Sequence, residues 1–562
     1  MKLISPFLTV LSMSIVCNVT WAASSEANSD LPVLVSSQSV AESAGAPAVS
    51  CDPYQDYQCF DSSLGKNIFE RLKHYYVLEM GHAAAPSDPN APAARRENWP
   101  ATPETVPPMP FTEWPYGGST ALGVTRPASV DSPLMVAIAN TGFGQWLSTG
   151  NVQIYGWVDA GGNISTSSTP QGGNAPAAYS YRPNTAQLDQ AVIYVERLPD
   201  TVQSDHIDWG FRLSAIYGEN YRYTTAYGLA SYQLLNHNNI YGYDLPMLYA
   251  EMFIPQIGEG GLMLRAGRFI SVPDIEAQLA PNNYMYSHSM TYSFDNYTNT
   301  GVLATLGLTQ QLFLQAGLTA GTEALPNHLE ARIANPFPNA IYPAATFKKD
   351  PGSQPSYTAC VRYNSLAGDD NLNVCANGIN KGNYGYNNLQ WYGFTAYHKF
   401  NSRWHLSYEA YYLHQNNVPN LNNSDVQNIN ANGGTPFAAP ESAIKYNAPN
   451  EALCANANVE TCTAGAYGTV AYLNYSPDAL NNISLRPEFF WDKEGQRTGT
   501  KTRYANLALG WQHWLSPQIE LRPEIAYYRA LNGDAFNGNS NLGIAPNKDH
   551  ETVLSGDVIV HF

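Results

Sequence analysis

The sequence predicts an all-β protein: a transmembrane antiparallel β-barrel of about fourteen strands, preceded by a Pro-rich and helical N-terminal extension. Three observations carry that prediction. Charged residues make up only 13% and aromatics 12%, with 38 Tyr, a balance that suits neither a typical soluble enzyme nor a helical membrane protein. Beyond the N-terminus no run approaches the roughly 20 consecutive apolar residues of a spanning helix. From residue 151 to the end, segments of about 9 to 11 residues alternate apolar and polar side chains, the length at which a tilted strand crosses a bilayer.

The first element is an export signal. "MKLISPFLTVLSMSIVCNVTWA" carries Lys2, an apolar stretch to Val16, and small residues Thr20 and Ala22 around a cleavage point, so residues 1–22 read as a signal peptide. The remaining chain is acidic, since the whole sequence has 46 Asp and Glu against 29 Lys and Arg. Export bears on the cysteines. Cys17 leaves with the signal, and the others fall as local couples: Cys51 with Cys59, Cys360 with Cys375, Cys454 with Cys462. An oxidising compartment favours three loop-closing disulfides, with free loop thiols as the alternative; no zinc-type CxxC spacing occurs.

Residues 23–150 follow different rules. A small, polar stretch to about Ser50 reads as disordered. In "LGKNIFERLKHYYVLEMG", Ile68, Leu72, Tyr75, Tyr76 and Leu78 share one helical face, so a helix is expected over Asn67 to Gly81. The Pro-rich "PATPETVPPMPFTEWPYGG" then runs extended to Gly118. One helix and a strap bury no core, so this extension is expected to dock on the barrel mouth or a partner.

The barrel proper is expected over 151–562. In "NVQIYGWVDAGGN" the row Val152, Ile154, Gly156, Val158, Ala160 alternates with Gln153, Tyr155, Trp157, Asp159. The same dyad runs through "HIDWGFRLSAIYG", "GLMLRAGRFI", "NISLRPEFFWDK", "KTRYANLALGWQHWL" and "QIELRPEIAYYRA". Short turns such as "PQIGEGG", "KFNSR" and "LSPQ" trade places with long Asn-, Pro- and Tyr-rich loops, the longest read as Glu323 to Asn387. Short turns at one end and long loops at the other are the arrangement of outer-membrane barrels; a soluble sandwich would have shorter strands and no such bias. The final row Leu554, Val558, Val560, Phe562 ends on an aromatic, and that strand must pair with the first to leave no open edge in lipid.

Function then rests on the inner row. A basic residue on the lipid face at mid-depth costs roughly 2 to 4 kcal/mol, so the parity of each charge assigns its side. Taking the apolar row as lipid-facing puts Asp159, Glu196, Asp208, Glu251, Glu409, Glu488, Asp492, Glu520, Glu524 and Asp557 in the lumen, with Arg212, Arg265, Arg486 and Arg522. The acidic excess predicts a mild cation preference; the opposing reading is that these charges are only struts across the wall. "YSHSM" groups Ser287, His288 and Ser289, but strand neighbours point to opposite faces and cannot form a nucleophile and base pair. No enzyme, cofactor, metal or nucleic-acid partner is expected.

"NIFERL", "FTEWPYGG", "IYGWVDAGGNIST" and "GRFISVPDIEAQLAPNNYMYSHSMTYSFDNYTNTGVLATLG" resemble the OmpL-like beta-barrel porin family of Gram-negative outer membranes, over most of the chain from about residue 67. The resemblance implies an outer-membrane barrel acting as a porin, with lipid and the barrel-assembly machinery as partners and Phe562 as the assembly signal. It supplies no substrate. The expected function is passive diffusion of small hydrophilic solutes; a structural or adhesive barrel with a blocked lumen and functional external loops is the alternative.

Overall fold

The structure is a computed structural model. It describes residues 57–80 and 132–562, apart from 225–232, 234–238, 271–273, 323–354, 381–388, 432–450, 540–543 and a few single or paired positions. The signal, the polar stretch, Cys51 and the Pro-rich strap lie outside the described residues.

Seventeen strands join in one sheet: β1 (Gln153–Ser165), β2 (Ala186–Arg197), β3 (Asp208–Gly218), β4 (Gly242–Ile254), β5 (Leu262–Ile270), β6 (Thr298–Gly307), β7 (Leu312–Thr322), β8 (Ser356–Asn364), β9 (Asp370–Ile379), β10 (Gln390–Lys399), β11 (Trp404–Pro419), β12 (Thr461–Asp478), β13 (Asn481–Asp492), β14 (Thr502–Ser516), β15 (Ile519–Leu521), β16 (Glu524–Ala530) and β17 (His550–His561). β15 and β16 both lie between β14 and β17, as two halves of one stave broken at Pro523, which has no N–H for the ladder. β1 pairs antiparallel with both β2 and β17, so the sheet closes as a 16-strand barrel.

Sixteen corrects the expected fourteen, because β8 and β9 lie inside the stretch read as one long loop. Their buried rows, Ser356, Thr358, Cys360, Arg362 and Asn371, Asn373, Cys375, Asn377, have a loop's composition. The exposed rows Tyr357, Val361, Tyr363 and Leu372, Val374 nevertheless keep the two-residue period.

Outward rows are apolar. On β13, Ile483, Leu485 and Phe489 are exposed while Ser484, Arg486, Glu488 and Phe490 are buried. Aromatic residues mark two levels of the outer surface. Trp404 of β11 pairs with Tyr475, ring centroids 4.6 Å apart. Farther along β11, Tyr412 stacks on Tyr467 at 4.6 Å, and Tyr467 on Trp491 at 5.6 Å. From Trp404 to Tyr412 the strand rises about 26 Å, or about 20 Å of height at a tilt near 40°. That is somewhat less than the apolar band of about 25 Å between the aromatic girdles of an outer-membrane barrel.

Among the described residues four helices precede the barrel: α1 (Tyr57–Leu64), α2 (Ile68–Glu79), α3 (Pro133–Ile138) and α4 (Gly142–Thr149). The expected helix is α2, capped by the Asn67 side chain, which accepts from Glu70 N at 2.9 Å. Phe60, Leu64, Tyr75 and Val136 form a small core between α1, α2 and α3. Arg71 ties α2 to α3 by donating from Nε to the Val136 carbonyl at 3.1 Å. The Tyr76 hydroxyl donates to the His561 carbonyl, and Ser132 Oγ to the Ile154 carbonyl at 3.1 Å. The helices therefore sit at the short-turn end, where β1 starts and β17 stops.

Candidate functional site

The β5–β6 connection does not stay outside. Its residues 274–297 are buried throughout, and they contain a 3-10 turn (Ala280–Asn282) and one short α-helix, α5 (Met290–Ser293). Met285, Tyr286, Met290, Tyr292 and Phe294 pack against Tyr411, Val470, Tyr472, Phe490 and Tyr528 of the wall. A segment inside a closed barrel has no ladder to join, yet its buried amides and carbonyls need partners. The inner row of the wall supplies them.

Wall carboxylates accept from the segment's amides. Glu409 Oε2 takes Ile275 N at 2.9 Å, Glu524 Oε2 takes Ser287 N at 2.9 Å, and Glu488 Oε1 takes Thr291 N at 2.5 Å. Wall arginines donate to its carbonyls. Arg522 reaches Ala280 O at 2.5 Å and Asn283 O at 3.0 Å, and Arg486 reaches the Ser287 carbonyl and, at 2.9 Å, its Oγ. Gln190 and Asp189 of β2 hold the far side: Gln190 Nε2 donates to Gln278 O at 2.7 Å, and the Tyr286 hydroxyl to Asp189 Oδ2 at 3.2 Å. Most of these contacts are charge-assisted and their partners are buried, so they hold the segment firmly.

Every charged residue assigned to the inner row by parity is buried: Asp159, Glu196, Asp208, Arg212, Glu251, Arg265, Glu409, Arg486, Glu488, Asp492, Glu520, Arg522, Glu524 and Asp557. All four bases are paired. Arg212 and Glu196 are opposite in register and meet at 2.7 Å, as do Arg265 and Glu251. Arg486 lies 3.4 Å from Glu524, and Arg522 binds Asp557. Asp208 instead pairs with Arg197 at 2.8 Å near the short turns. Asp492 caps the β13–β14 loop, accepting Gln496 N at 3.0 Å, Arg497 N at 2.9 Å and Thr498 N at 2.7 Å. Glu520 accepts from Gln512 Nε2 at 2.7 Å.

Parity missed other inner charges, and bulges are the reason for several of them; Arg362 lies on β8, and Glu551 shares the unbroken row of Asp557. Across from Asp159 and Ala160 the β2 register skips Asp189, so Asp189 and Gln190 are both buried and the row changes phase. On β5 the phase slips at Gly267, whose φ of +138° side chains avoid, and Arg268 turns inward to bind Asp244 at 2.9 Å. Asp274, Glu276 and Asp295 of the inserted segment were hidden in a stretch without a strand period. Nothing in its composition announces that it folds inward, apart from its density of Tyr and Met.

Two further readings change. Cys360 and Cys375 are bonded, but as directly opposed inner residues of β8 and β9 rather than as a loop closure. Cys454 is bonded to Cys462 at the start of β12. In "YSHSM" the serines serve carboxylates: Ser287 Oγ donates to Glu524 at 2.5 Å and Ser289 Oγ to Glu276.

The family profile described as "Putative beta-barrel porin-2, OmpL-like" matches residues 151–562. The chain belongs to this family. The matched region begins two residues before β1 and takes in the whole barrel, so this OmpL-like porin is an outer-membrane β-barrel. No curated protein matches its sequence. Solved structures similar to it include the outer membrane channel DcaP of Acinetobacter baumannii, at 9% identity and TM-score 0.41, over 73% of this chain and 97% of that one. Another is an anion-selective porin from Comamonas acidovorans, at 10% identity and TM-score 0.39, over 73% and 99%. A third is OmpT of Vibrio cholerae, at 8% identity and TM-score 0.39, over 73% and 99%.

Proposed function

We propose that this OmpL-like barrel is a passive channel for small hydrophilic solutes, with a mild preference for cations and its narrowest passage beside residues 274–297. The observation that carries the reading is a charged inner row facing an inserted segment within a closed barrel. Such a segment narrows the lumen without sealing lipid contacts that the strands already make. The acids outnumber the bases there, and all four predicted bases are neutralised by acids, which leaves the remaining carboxylates to set the sign of the local potential. In this reading the short-turn end, with the helices docked on it, faces the periplasm.

Reversal potentials across a salt gradient in planar bilayers test the reading. A cation preference is expected at low salt and fades at high salt, where the screening length falls to a few Å. Glu520→Gln should shift the reversal potential towards anions without touching the grip on the inserted segment. A wild-type preference for anions would overturn the selectivity, and absence of any conductance would favour the blocked, loop-functional barrel.

A further inference from the structure

Three carboxylates converge within the inner network, where Glu409 Oε2 and Asp295 Oδ1 accept from Ile275 N and Asn296 N at 2.9 and 2.6 Å. Asp274 lies where the inserted segment enters the barrel, Asp295 where it leaves, and Glu409 on β11 of the wall. One oxygen from each falls within 4.8 Å of the other two. Their relative exposures are 9%, 0% and 1%. Some carboxylates in this interior are answered by donors, while Asp159, Glu520 and Glu551 also keep an oxygen without one but do not converge with two others. Glu276 accepts from Ser289 N at 2.9 Å and the Tyr472 hydroxyl at 2.5 Å, while Glu488 accepts from both Thr291 and Asn506. By contrast Oδ1 of Asp274, Oδ2 of Asp295 and Oε1 of Glu409 are buried with no hydrogen-bond donor.

Among the described residues no Lys, Arg or His nitrogen forms an ion pair with any of the three carboxylates. The guanidinium of Arg497 is aimed at main chain, donating to Phe294 O at 2.9 Å and Asp295 O at 3.2 Å. Three buried carboxylates with converging, unanswered oxygens and no paired base form an all-oxygen donor set of high negative charge. That is the chemistry of a hard divalent cation, which takes six to eight oxygens and accepts water for those the protein does not supply.

We propose that Asp274, Asp295 and Glu409 bind a divalent cation of the calcium class, which fastens both legs of the inserted segment to the barrel wall. Bound there, the ion replaces the missing donors and fixes the segment at its two ends, whereas the hydrogen bonds to Arg486, Arg522 and Glu524 hold its middle. The inference does not depend on solute passage and is read without it.

The indole of Trp391, buried on β10, stands beside Asp295 and provides an optical reporter. Full-length protein refolded in detergent and stripped with EDTA is titrated with Tb³⁺ under tryptophan excitation. Saturable sensitised emission that Ca²⁺ displaces is expected. Trp391→Phe should lower the emission while leaving Ca²⁺ competition in place, and Glu409→Gln and Asp295→Asn should each weaken binding at least about tenfold. Retention of the heat-modifiable electrophoretic mobility shows that each variant is folded. A second readout needs no lanthanide: Ca²⁺ should raise the melting temperature of the stripped wild type and leave that of Glu409→Gln unchanged. No saturable emission in the wild type, or emission equal in folded Glu409→Gln and Asp295→Asn, overturns the proposal and leaves protons as what neutralises the cluster.

Discussion

The ring of Phe562 lies over Gly156, across the seam where the barrel closes. Gly156 N donates to the Phe562 carbonyl at 3.0 Å and Phe562 N to the Gly156 carbonyl at 2.8 Å. A β-carbon at Gly156 would stand 2.7 Å from Phe562 Cζ and closer still to the carbonyl oxygen of Val192. The missing side chain is what admits both the ring and the neighbouring strand.

Gly156→Leu should therefore open the seam between β1 and β17. Overpacking of this kind costs about 1 to 3 kcal/mol. A lower melting temperature and a smaller folded fraction on unboiled gels are expected. Gly161→Ala, which meets Tyr286 and Asp189 side chains within the lumen, should leave the seam intact.

Arg522→Gln should loosen the inserted segment. Arg522 binds Asp557, lies 4.0 Å from Asp159, and holds the carbonyls of Ala280 and Asn283. Removing one partner of a buried ion pair costs about 3 to 5 kcal/mol. Single-channel recordings should show larger or noisier conductance than the wild type, with faster proteolysis between residues 274 and 297.

Cys360→Ala with Cys375→Ala should give a barrel that still folds, since the β8–β9 ladder remains. The crosslink closes a 15-residue separation, for which loop entropy suggests about 3 kcal/mol. Peptide mapping without reduction should recover Cys360 linked to Cys375 and Cys454 linked to Cys462, and the double variant should melt earlier.

Glu219 supplies a pH dependence outside the spanning strands. It opens the 3-10 turn Glu219–Tyr223 after β3, and burial pushes its carboxyl from 4.5 up to about 7, against the pull of the Arg222 guanidinium. The folded site favours the protonated form, so its contribution is full below about pH 4.5 and is lost as pH rises through about 7. Hydrogen exchange of residues 219–223 should accelerate over that window, by an opening free energy on the order of 3 kcal/mol. Glu219→Gln should flatten the dependence.

Much of the barrel was legible because a lipid-facing strand writes its period into the chain. "NISLRPEFFWDK" and "QIELRPEIAYYRA" put Arg486, Glu488, Arg522 and Glu524 on the buried row that their parity indicates. Legibility failed where the period was interrupted or diluted. The bulge at Asp189 and the slip at Gly267 reverse the parity that follows them, and β8 and β9 carry inner rows too polar to stand out from the loops beside them.

By itself, then, the sequence determined much of the outer surface: where the period is unbroken it shows which residues meet lipid, since water and hydrocarbon impose a local two-residue rule on each strand. It also placed many of the inner charges on the buried row, for the same reason. Only the tertiary structure decided what those inner charges do. Glu409, Glu488, Glu524, Arg486 and Arg522 hold residues 274–297, which are distant from all of them in the chain. A buried amide or carbonyl must find a partner, but nothing local says which one; that pairing exists once sixteen strands have closed around the segment and brought its partners within hydrogen-bond reach.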